Sequence, residues 1–202
     1  MSSGNDSGSG LDRLFEGHRV MAILRGLSPE DTVAVATRAW DLGITVVEVP
    51  ARDPGGLEAM RAAVRAGAER GLRVGAGTVV DVDQVRAVAR AGAAFTVAPG
   101  FDPEVMVASE EAGMPHLPGV ATPSEVQAVL RAGGHWVKAF PASVLGPAWI
   151  QALHGPFPDV RVVATGGVDA RNAPAFLQAG AALVAVGSAL SDPDQIPALK
   201  DL

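Results

Sequence analysis

Apolar and polar positions along the chain repeat as one unit: an amphipathic helix, a glycine and a short apolar run. The spacings between successive glycines of this kind are 28, 21, 21, 20 and 47 residues, and the last interval is about two periods. The glycines are Gly43, Gly71, Gly92, Gly113, Gly133 and Gly180. Glycine is expected at these junctions because the residue that ends a helix often takes a left-handed backbone conformation.

The apolar runs predict eight β-strands, because continuous rather than alternating apolar runs are typical of strands buried on both faces of a parallel sheet. The runs are 19–24, 44–49, 72–76, 94–97, 115–118, 135–139, 160–164 and 182–186. Helices are predicted from SPEDTVAVATRAW, DVDQVRAVARA, DPEVMVASEEA and TPSEVQAVLRA, each of which opens on a residue that can cap a first turn. The segment after the last strand leaves room only for a short helix.

Strands that alternate with helices at this period predict an α/β fold, a single-domain (β/α)₈ TIM barrel. An open, doubly wound sheet has the same alternation. The barrel is favoured because unusual residues follow most strands rather than one switch point. In a barrel they would converge on one mouth: Arg25, Glu48 with Arg52, Thr78, Pro99, Gly119, Lys138, Gly166 with Gly167, and Ser188. We expect residues 1–10 to form a disordered polar tail and residues 11–202 to form the barrel.

Composition and charge exclude several classes of function. The net charge is -6 with no basic cluster, which argues against a nucleic-acid partner. The chain has no cysteine, so disulfides, thiolate metal sites and a cysteine nucleophile are excluded, in agreement with a cytoplasmic location. No apolar stretch is long enough to predict a membrane span, and we expect a soluble protein.

Lys138 is the first candidate for chemistry. The chain has fourteen arginines but only two lysines, and the other, Lys200, lies near the C-terminus. Lys138 ends the sixth predicted strand among apolar neighbours, where partial desolvation should lower its pKa. A neutral amine there can attack a carbonyl and form a Schiff base. A lysine that reaches solvent or pairs with a carboxylate at the mouth is an equally good interpretation of its position alone.

Glu48 ends the second predicted strand after apolar β-branched residues. A carboxylate there can carry protons if burial raises its pKa or if a lysine lies close. It could instead serve only as the counter-ion of Lys138 or Arg25. Arg25 and Arg52 each present a guanidinium that suits a carboxylate or phosphate, or a salt bridge at the rim.

The loops after the last strands resemble phosphate-binding loops. The segments ATGGVDARN and AVGSAL fall where barrels often hold phosphate through backbone N–H groups. The segment GAGTVVDVDQ adds a glycine-rich loop with the Thr78 hydroxyl, followed by a helix start. The four histidines show no metal-ligand spacing, so we predict no metal and no cofactor.

Eight segments, in order over residues 20–190, together resemble the 2-keto-3-deoxy-6-phosphogluconate (KDPG) aldolase family, which includes 4-hydroxy-2-oxoglutarate and phosphogalactonate relatives. They are AILRG, VEVPAR, GAGTV, VAPG, PGVATPSE, VKAFPASVLGP, GPFPDVRVVATGGV and AVGSAL. The resemblance implies a metal-free class I aldolase, usually a homotrimer. Its partner would be a phosphorylated keto acid, cleaved to pyruvate and glyceraldehyde 3-phosphate, with 4-hydroxy-2-oxoglutarate, cleaved to pyruvate and glyoxylate, as a further substrate.

The resemblance also implies a role for each matching position. Lys138 matches the Schiff-base lysine and Glu48 the general acid/base. The remaining matches are the carboxylate site (Arg52, Thr78 and the backbone near Pro99), the phosphate site (Gly166, Gly167 and Ser188), an arginine that reaches the substrate (Arg25) and the pocket wall (Thr122). Arg52 resembles the phosphogluconate branch, whereas AILRG and the EVP of VEVPAR resemble the phosphogalactonate branch, so the configuration at C4 stays open.

Two other functions fit a barrel with phosphate loops. One is an isomerase or decarboxylase on phosphorylated ligands, but the Asp, Lys, Asp pattern of such decarboxylases is absent around Lys138. The other is a sugar-phosphate-binding barrel without turnover, against which the presence of both Lys138 and Glu48 argues.

Overall fold

The computed structural model describes residues 10–187, 190, 195–200 and 202, and of residues 196 and 197 the backbone only. Nine parallel strand segments occur in this part of the chain. They are Val20–Ile23 (β1), Val46–Pro50 (β2), Val74–Gly77 (β3), Thr96–Val97 (β4), His116–Leu117 (β5), Gly119–Val120 (β6), Trp136–Ala139 (β7), Arg161–Thr165 (β8) and Leu183–Val186 (β9). Eight of the segments overlap the eight predicted strands, with β5 inside the predicted run 115–118, whereas β6 directly follows that run and was not predicted.

The sheet closes on itself at Pro118, which lies between β5 and β6. The strand order is β5-β4-β3-β2-β1-β9-β8-β7-β6, so both ends of the order belong to one short chain segment. β5 pairs with β4, whereas β6 pairs with β7. The carbonyl of Pro118 accepts a hydrogen bond of 2.8 Å from the backbone N–H of Lys138. The predicted (β/α)₈ barrel is therefore confirmed, and the open doubly wound sheet is excluded.

Helices alternate with the strands. They are Gly10–Phe15 (α1), Pro29–Asp41 (α2), Pro54–Ala68 (α3), Val82–Arg90 (α4), Pro103–Glu111 (α5), Pro123–Arg131 (α6), Ala142–Leu145 (α7), Pro147–Leu153 (α8), Ala173–Gln178 (α9) and Ile196–Lys200 (α10). The four predicted caps are confirmed, since each side chain accepts a hydrogen bond from a backbone N–H of its first turn: Ser28, Asp81, Asp102 and Thr122. All six junction glycines have positive φ, as expected, between +70° and +103°.

The sequence did not predict three of these helices, α1, α7 and α8, whereas α3 and α9 are the helices that the repeat places before Gly71 and Gly180. α1 begins at Gly10, the last residue of the expected tail, and residues 1–9 of that tail lie outside the described residues. α7 and α8 follow β7 as two short helices on either side of Gly146. α10 spans five residues, which agrees with the expected short final helix.

Alternate residues of each strand face the barrel interior, and α1 covers one end of that interior. The Phe15 ring packs edge-on against Phe95 at 5.4 Å and Trp136 at 5.1 Å between ring centroids. The indole N–H of Trp136 donates a 2.8 Å hydrogen bond to the Asp12 carboxylate, which ties α1 to β7. This apolar floor blocks the end where the strands begin, so the end where they finish is the mouth.

A buried polar chain joins β4 and β5 to α5 on the outer side of the barrel. The Ser109 hydroxyl donates to the carbonyl of Met114 at 2.8 Å, so the Thr96 hydroxyl must donate to Ser109 at 2.6 Å. His116 Nδ1–H then donates to Thr96 at 2.8 Å, and its Nε2 is left buried, unprotonated and without a partner. Burial lowers the pKa of His116 to about 4.

None of the described helices is both long enough and apolar enough to span a membrane.

Candidate active site

Lys138 lies inside the barrel near its mouth. Trp136, two residues earlier on β7, packs in the interior cluster, and strand alternation places Lys138 on the same face. The residue is only 4% exposed, and its Nζ lies 4.8 Å from the centroid of the Phe140 ring. Burial lowers the pKa of Lys138, and the neighbouring Arg25 lowers it further, while Glu48 opposes the shift. The lysine is therefore buried at the site and does not extend to solvent.

Glu48 lies on the interior face of β2, two residues after the interior Val46. It is 2% exposed, and its Oε2 is buried without a hydrogen-bond partner. Burial raises the pKa of Glu48, whereas the positive charges of Lys138 and Arg25 oppose that rise. In the part of the chain that the structure describes, no carboxylate oxygen lies within 4.0 Å of Lys138 or Arg25. The amine and carboxylate are thus electrostatic neighbours that do not form a direct ion pair.

Gly77 gives the Glu48 carboxylate its space. A Cβ built on Gly77, at the end of β3, would overlap Glu48 Oε1. β2 and β3 are hydrogen-bonded neighbours, so Gly77 acts on the side chain across the sheet. Gly77 was not among the residues predicted for the site, although the pair of small residues on the interior face of VGAG was a signal for it.

A cavity of about 440 Å³ opens at the mouth beside this pair. It contains Arg25 at the end of β1 and the two glycines that follow β8, and its walls are otherwise mostly apolar. The lining residues are Ile23, Leu24, Arg25, Leu27, Val35, Phe140, Thr165, Gly166, Gly167, Val168, Ala185, Gly187 and Leu190. Lys138 and Glu48 do not line it. Phe140 does, and its ring also contacts the Lys138 amine, so the cavity adjoins the reactive pair.

Thr165 is a further polar residue of this cavity, and it was not among the residues predicted for the site. It is the last residue of β8 and is 1% exposed. Its hydroxyl is buried without a hydrogen-bond partner although it belongs to the cavity lining. An unpartnered buried hydroxyl has a desolvation cost, which a bound ligand could remove. Threonine is common in strands, so its presence in β8 did not by itself indicate a role in the site. The only signal in the sequence was its position directly before Gly166 and Gly167.

The structure brings Arg25, Gly166 and Gly167 together in the cavity, and φ is +96° and +72° at the two glycines. A side chain on Gly166 would press against the Phe140 ring, and one on Gly167 would overlap Ser143. The backbone can therefore approach a ligand closely here. Ser188, the third residue of the expected phosphate site, lies outside the described residues.

The residues expected at the carboxylate site follow strands β2, β3 and β4 at the mouth. Arg52 and Pro99 are exposed there, and Thr78 is half-buried with a positive φ of +60°. None of the three lines the 440 Å³ cavity. The Thr122 side chain caps α6 and donates to Glu125 Oε2 at 2.9 Å, so it has a local structural role. A contact between Thr122 and a substrate stays a prediction.

Comparison with known proteins identifies the family. The family model of the KDPG and KHG aldolases matches residues 11–200. The chain belongs to this aldolase family. It is 38% identical over 172 residues to the 2-dehydro-3-deoxy-6-phosphogalactonate aldolase of Escherichia coli, covering 85% of this chain and 83% of that protein. It is also 38% identical over 169 residues to the 2-dehydro-3-deoxy-phosphogluconate aldolase of Pseudomonas aeruginosa, covering 83% and 76%.

A solved structure from the same aldolase family has the same fold. The KDPG aldolase of Legionella pneumophila, in which pyruvate was captured as a covalent carbinolamine, superimposes with a TM-score of 0.81 at 29% identity. The match covers 93% of each chain. The predicted family, barrel fold and aldolase activity are therefore confirmed.

In the described residues no cluster of three or more histidine, aspartate or glutamate side chains could hold a metal ion.

Proposed function

We propose that this aldolase cleaves a 2-keto-3-deoxy-6-phospho sugar acid to pyruvate and glyceraldehyde 3-phosphate through a Schiff base on Lys138. The observation that carries the proposal is the buried amine of Lys138 and the buried carboxylate of Glu48, next to a cavity lined by an arginine and by the two glycines that follow β8. An amine with a lowered pKa can attack a ketone, and a carboxyl group with a raised pKa can both take and return a proton.

The reaction begins when the neutral Lys138 amine adds to the C2 ketone and forms a carbinolamine. Loss of water leaves a protonated Schiff base, which can accept an electron pair. Glu48 takes the proton of the C4 hydroxyl, directly or through one water, and the C3–C4 bond breaks. Its electron pair forms an enamine between C2 and C3, and C4 leaves as the aldehyde. Proton return to C3 and hydrolysis of the imine release pyruvate and restore the amine.

The two ends of the substrate would occupy different parts of the mouth. We assign the phosphate to Arg25 and to the backbone N–H groups near Gly166 and Gly167, with Ser188 as the third predicted contact. A guanidinium and backbone donors are the usual ligands of a phosphate group. The pyruvate carboxylate would bind at Arg52, Thr78 and the backbone near Pro99, with Thr122 in the pocket wall. This orientation places C2 and C4 between the two anionic ends, near Lys138 and Glu48.

Cleavage assays with defined substrates test this proposal. The two C4 epimers of the phosphorylated acid, their unphosphorylated forms and 4-hydroxy-2-oxoglutarate should each be incubated with the enzyme, and pyruvate measured by a coupled dehydrogenase. The gluconate epimer is expected to give the highest kcat/KM, with a large loss when its phosphate is absent. A higher kcat/KM on the galactonate epimer would assign the enzyme to that branch, and equal rates without phosphate would contradict the phosphate site.

We also propose that the enzyme acts as a cytoplasmic homotrimer. The absence of cysteine agrees with a reducing compartment, and the resemblance to the aldolase family implies three subunits. Light scattering at several concentrations should give a mass three times that of the 20.5 kDa chain. A mass equal to one chain at all concentrations would contradict the trimer without affecting the chemistry at Lys138.

A further inference from the structure

The end of the barrel opposite the mouth contains a second cavity, of about 330 Å³. It lies between α1 and the residues that precede β2, β3 and β4. The lining residues are Arg13, Leu14, His18, Thr45, Val46, Gly71, Leu72, Arg73 and Phe95. Its volume is in the range of small-molecule binding sites, and the barrel floor separates it from Lys138.

Two arginines of this cavity, Arg13 and Arg73, are exposed. Among the described residues, no carboxylate lies within 4.0 Å of the guanidinium of Arg13 or of Arg73. The guanidinium group donates hydrogen bonds in a planar fork that fits two oxygens of a carboxylate or phosphate. Both arginines therefore have donors available for an anion in the same cavity.

The other polar residues of the cavity are also suited to an anion. The Thr45 hydroxyl lies 3.3 Å from Nε2 of His18, a long contact that a better acceptor could replace. No aspartate or glutamate is among the described residues that line the cavity, although the whole chain has a net charge of -6. The lining of this cavity therefore carries positive charge although the protein as a whole is acidic.

The floor of the cavity is apolar. Val46 and Phe95 belong to the buried interior cluster, and Leu14 and Leu72 also line the cavity. Cationic side chains above an apolar floor fit a ligand with a short carbon skeleton and charged ends better than a bare inorganic ion.

We propose that this cavity binds a small organic dianion, held through its carboxylate or phosphate groups by Arg13 and Arg73, at a site separate from the active site. His18 and Thr45 contribute hydrogen bonds, and the carbon skeleton contacts Phe95. Phosphate esters and dicarboxylates share this chemistry, since both present oxygen pairs that match a guanidinium.

The site is tested by NMR titration of the full ¹⁵N-labelled chain with succinate and, separately, with inorganic phosphate. The backbone amides of Thr45 and Arg73 report on the proposed site, and those of Gly166 and Gly167 report on the mouth. We expect saturable shifts at Thr45 and Arg73, with succinate binding more tightly than phosphate because it has a carbon skeleton. In the variant Arg13→Gln/Arg73→Gln this binding should weaken by about tenfold or more, while the shifts at the mouth remain.

A variant with the same change in net charge provides the control. Arg61→Gln/Arg90→Gln alters two exposed arginines that do not line the cavity, and it should leave the shifts at Thr45 and Arg73 unchanged. Circular dichroism of all variants checks that the fold is intact. Unsaturable shifts in the wild type, or an equal loss in the control pair, would overturn the proposal and leave the two arginines as surface charges that offset the negative ends of nearby helices.

Discussion

Gly77 on β3 lies directly against the Glu48 carboxylate on β2, in the space that a side chain would otherwise fill. The φ angle of Gly77 is not positive, so the backbone there could accept another residue without strain. The need for glycine at this position therefore comes from the Glu48 side chain across the sheet. The two residues form one unit, in which β3 determines where the carboxylate of β2 can lie.

The Gly77→Ala substitution tests this relationship. The added methyl group should displace the Glu48 carboxylate, and kcat should fall by about 100-fold because a misplaced general acid/base loses most of its effect. The free energy of unfolding should fall by about 1–3 kcal/mol, as is usual when a packed interior gains an atom. Steady-state kinetics and urea denaturation measure the two effects.

Gly55→Ala is the matched control for Gly77→Ala. Gly55 lies in α3, where the nearest atom to an added Cβ is an Asp53 oxygen at 3.5 Å. Alanine at this helical position should raise the free energy of unfolding by about 0.5–1 kcal/mol and leave kcat unchanged. If Gly77→Ala retains full activity, then kcat does not depend on the observed position of the Glu48 carboxylate.

Replacing Glu48 with glutamine removes both its proton transfer and its negative charge, and two measurements report on the two effects separately. We expect kcat to fall by about 10²–10⁴ because the amide cannot accept the C4 hydroxyl proton. The negative charge of Glu48 opposes the lowering of the Lys138 pKa, so its removal should lower that pKa further. Lys138 would then trap pyruvate at lower pH than in the wild type.

The pH profile of pyruvate trapping by borohydride, followed by mass spectrometry, measures this shift. The exposed Glu30→Gln substitution in α2 is the control and should leave both kcat and the profile unchanged. A profile that moves to higher pH in Glu48→Gln would show that the two groups do not interact as described.

Thr165→Val tests whether the unpartnered hydroxyl contacts the substrate. Valine has nearly the same shape, and removal of an unsatisfied buried hydroxyl should raise the free energy of unfolding by about 1 kcal/mol. If the hydroxyl binds substrate, kcat/KM should fall by about tenfold in the same variant. Thr32→Val is the control, since the Thr32 hydroxyl is also buried without a partner but lies on α2 outside the cavity lining. Equal effects of both substitutions on kcat/KM would remove Thr165 from the site.

Stability at acid pH should depend on His116. Its pKa is lowered to about 4 in the folded chain, against 6.5 for an ordinary histidine, so the unfolded chain binds a proton first as pH falls. The contribution is fully present above pH 6.5 and is lost progressively down to about pH 4, for a total of about 3 kcal/mol.

Denaturation in urea between pH 8 and pH 4 measures this dependence in about half-unit steps. A His116→Gln variant should lose stability at neutral pH but show a flatter pH dependence in that window. The exposed His135→Gln substitution should leave the wild-type dependence unchanged. An identical slope in His116→Gln would assign the acid sensitivity to other groups.

The sequence predicted those parts of the site that depend on position along one strand. Lys138 and Glu48 stood out because a charged residue at the end of an apolar run must lie at the mouth of a barrel. Gly77, Thr165 and Phe140 did not, because their roles depend on contacts between strands, which follow from register and side-chain direction. The second cavity could not be predicted for the same reason. Arg13 and Arg73 are sixty residues apart in the sequence, and they line the same cavity only in the folded barrel.

Borohydride trapping with pyruvate tests the central claim that Lys138 is the Schiff-base residue. The chain contains its own reference amine, since Lys200 is the other lysine and is exposed. The enzyme should be reduced in the presence of pyruvate, digested, and both lysine peptides quantified by mass spectrometry, with Lys138→Arg treated in parallel. We predict an adduct on the peptide that carries Lys138, none in Lys138→Arg, and a folded but inactive variant. An adduct on Lys200 alone, or aldol cleavage by Lys138→Arg, would contradict the account.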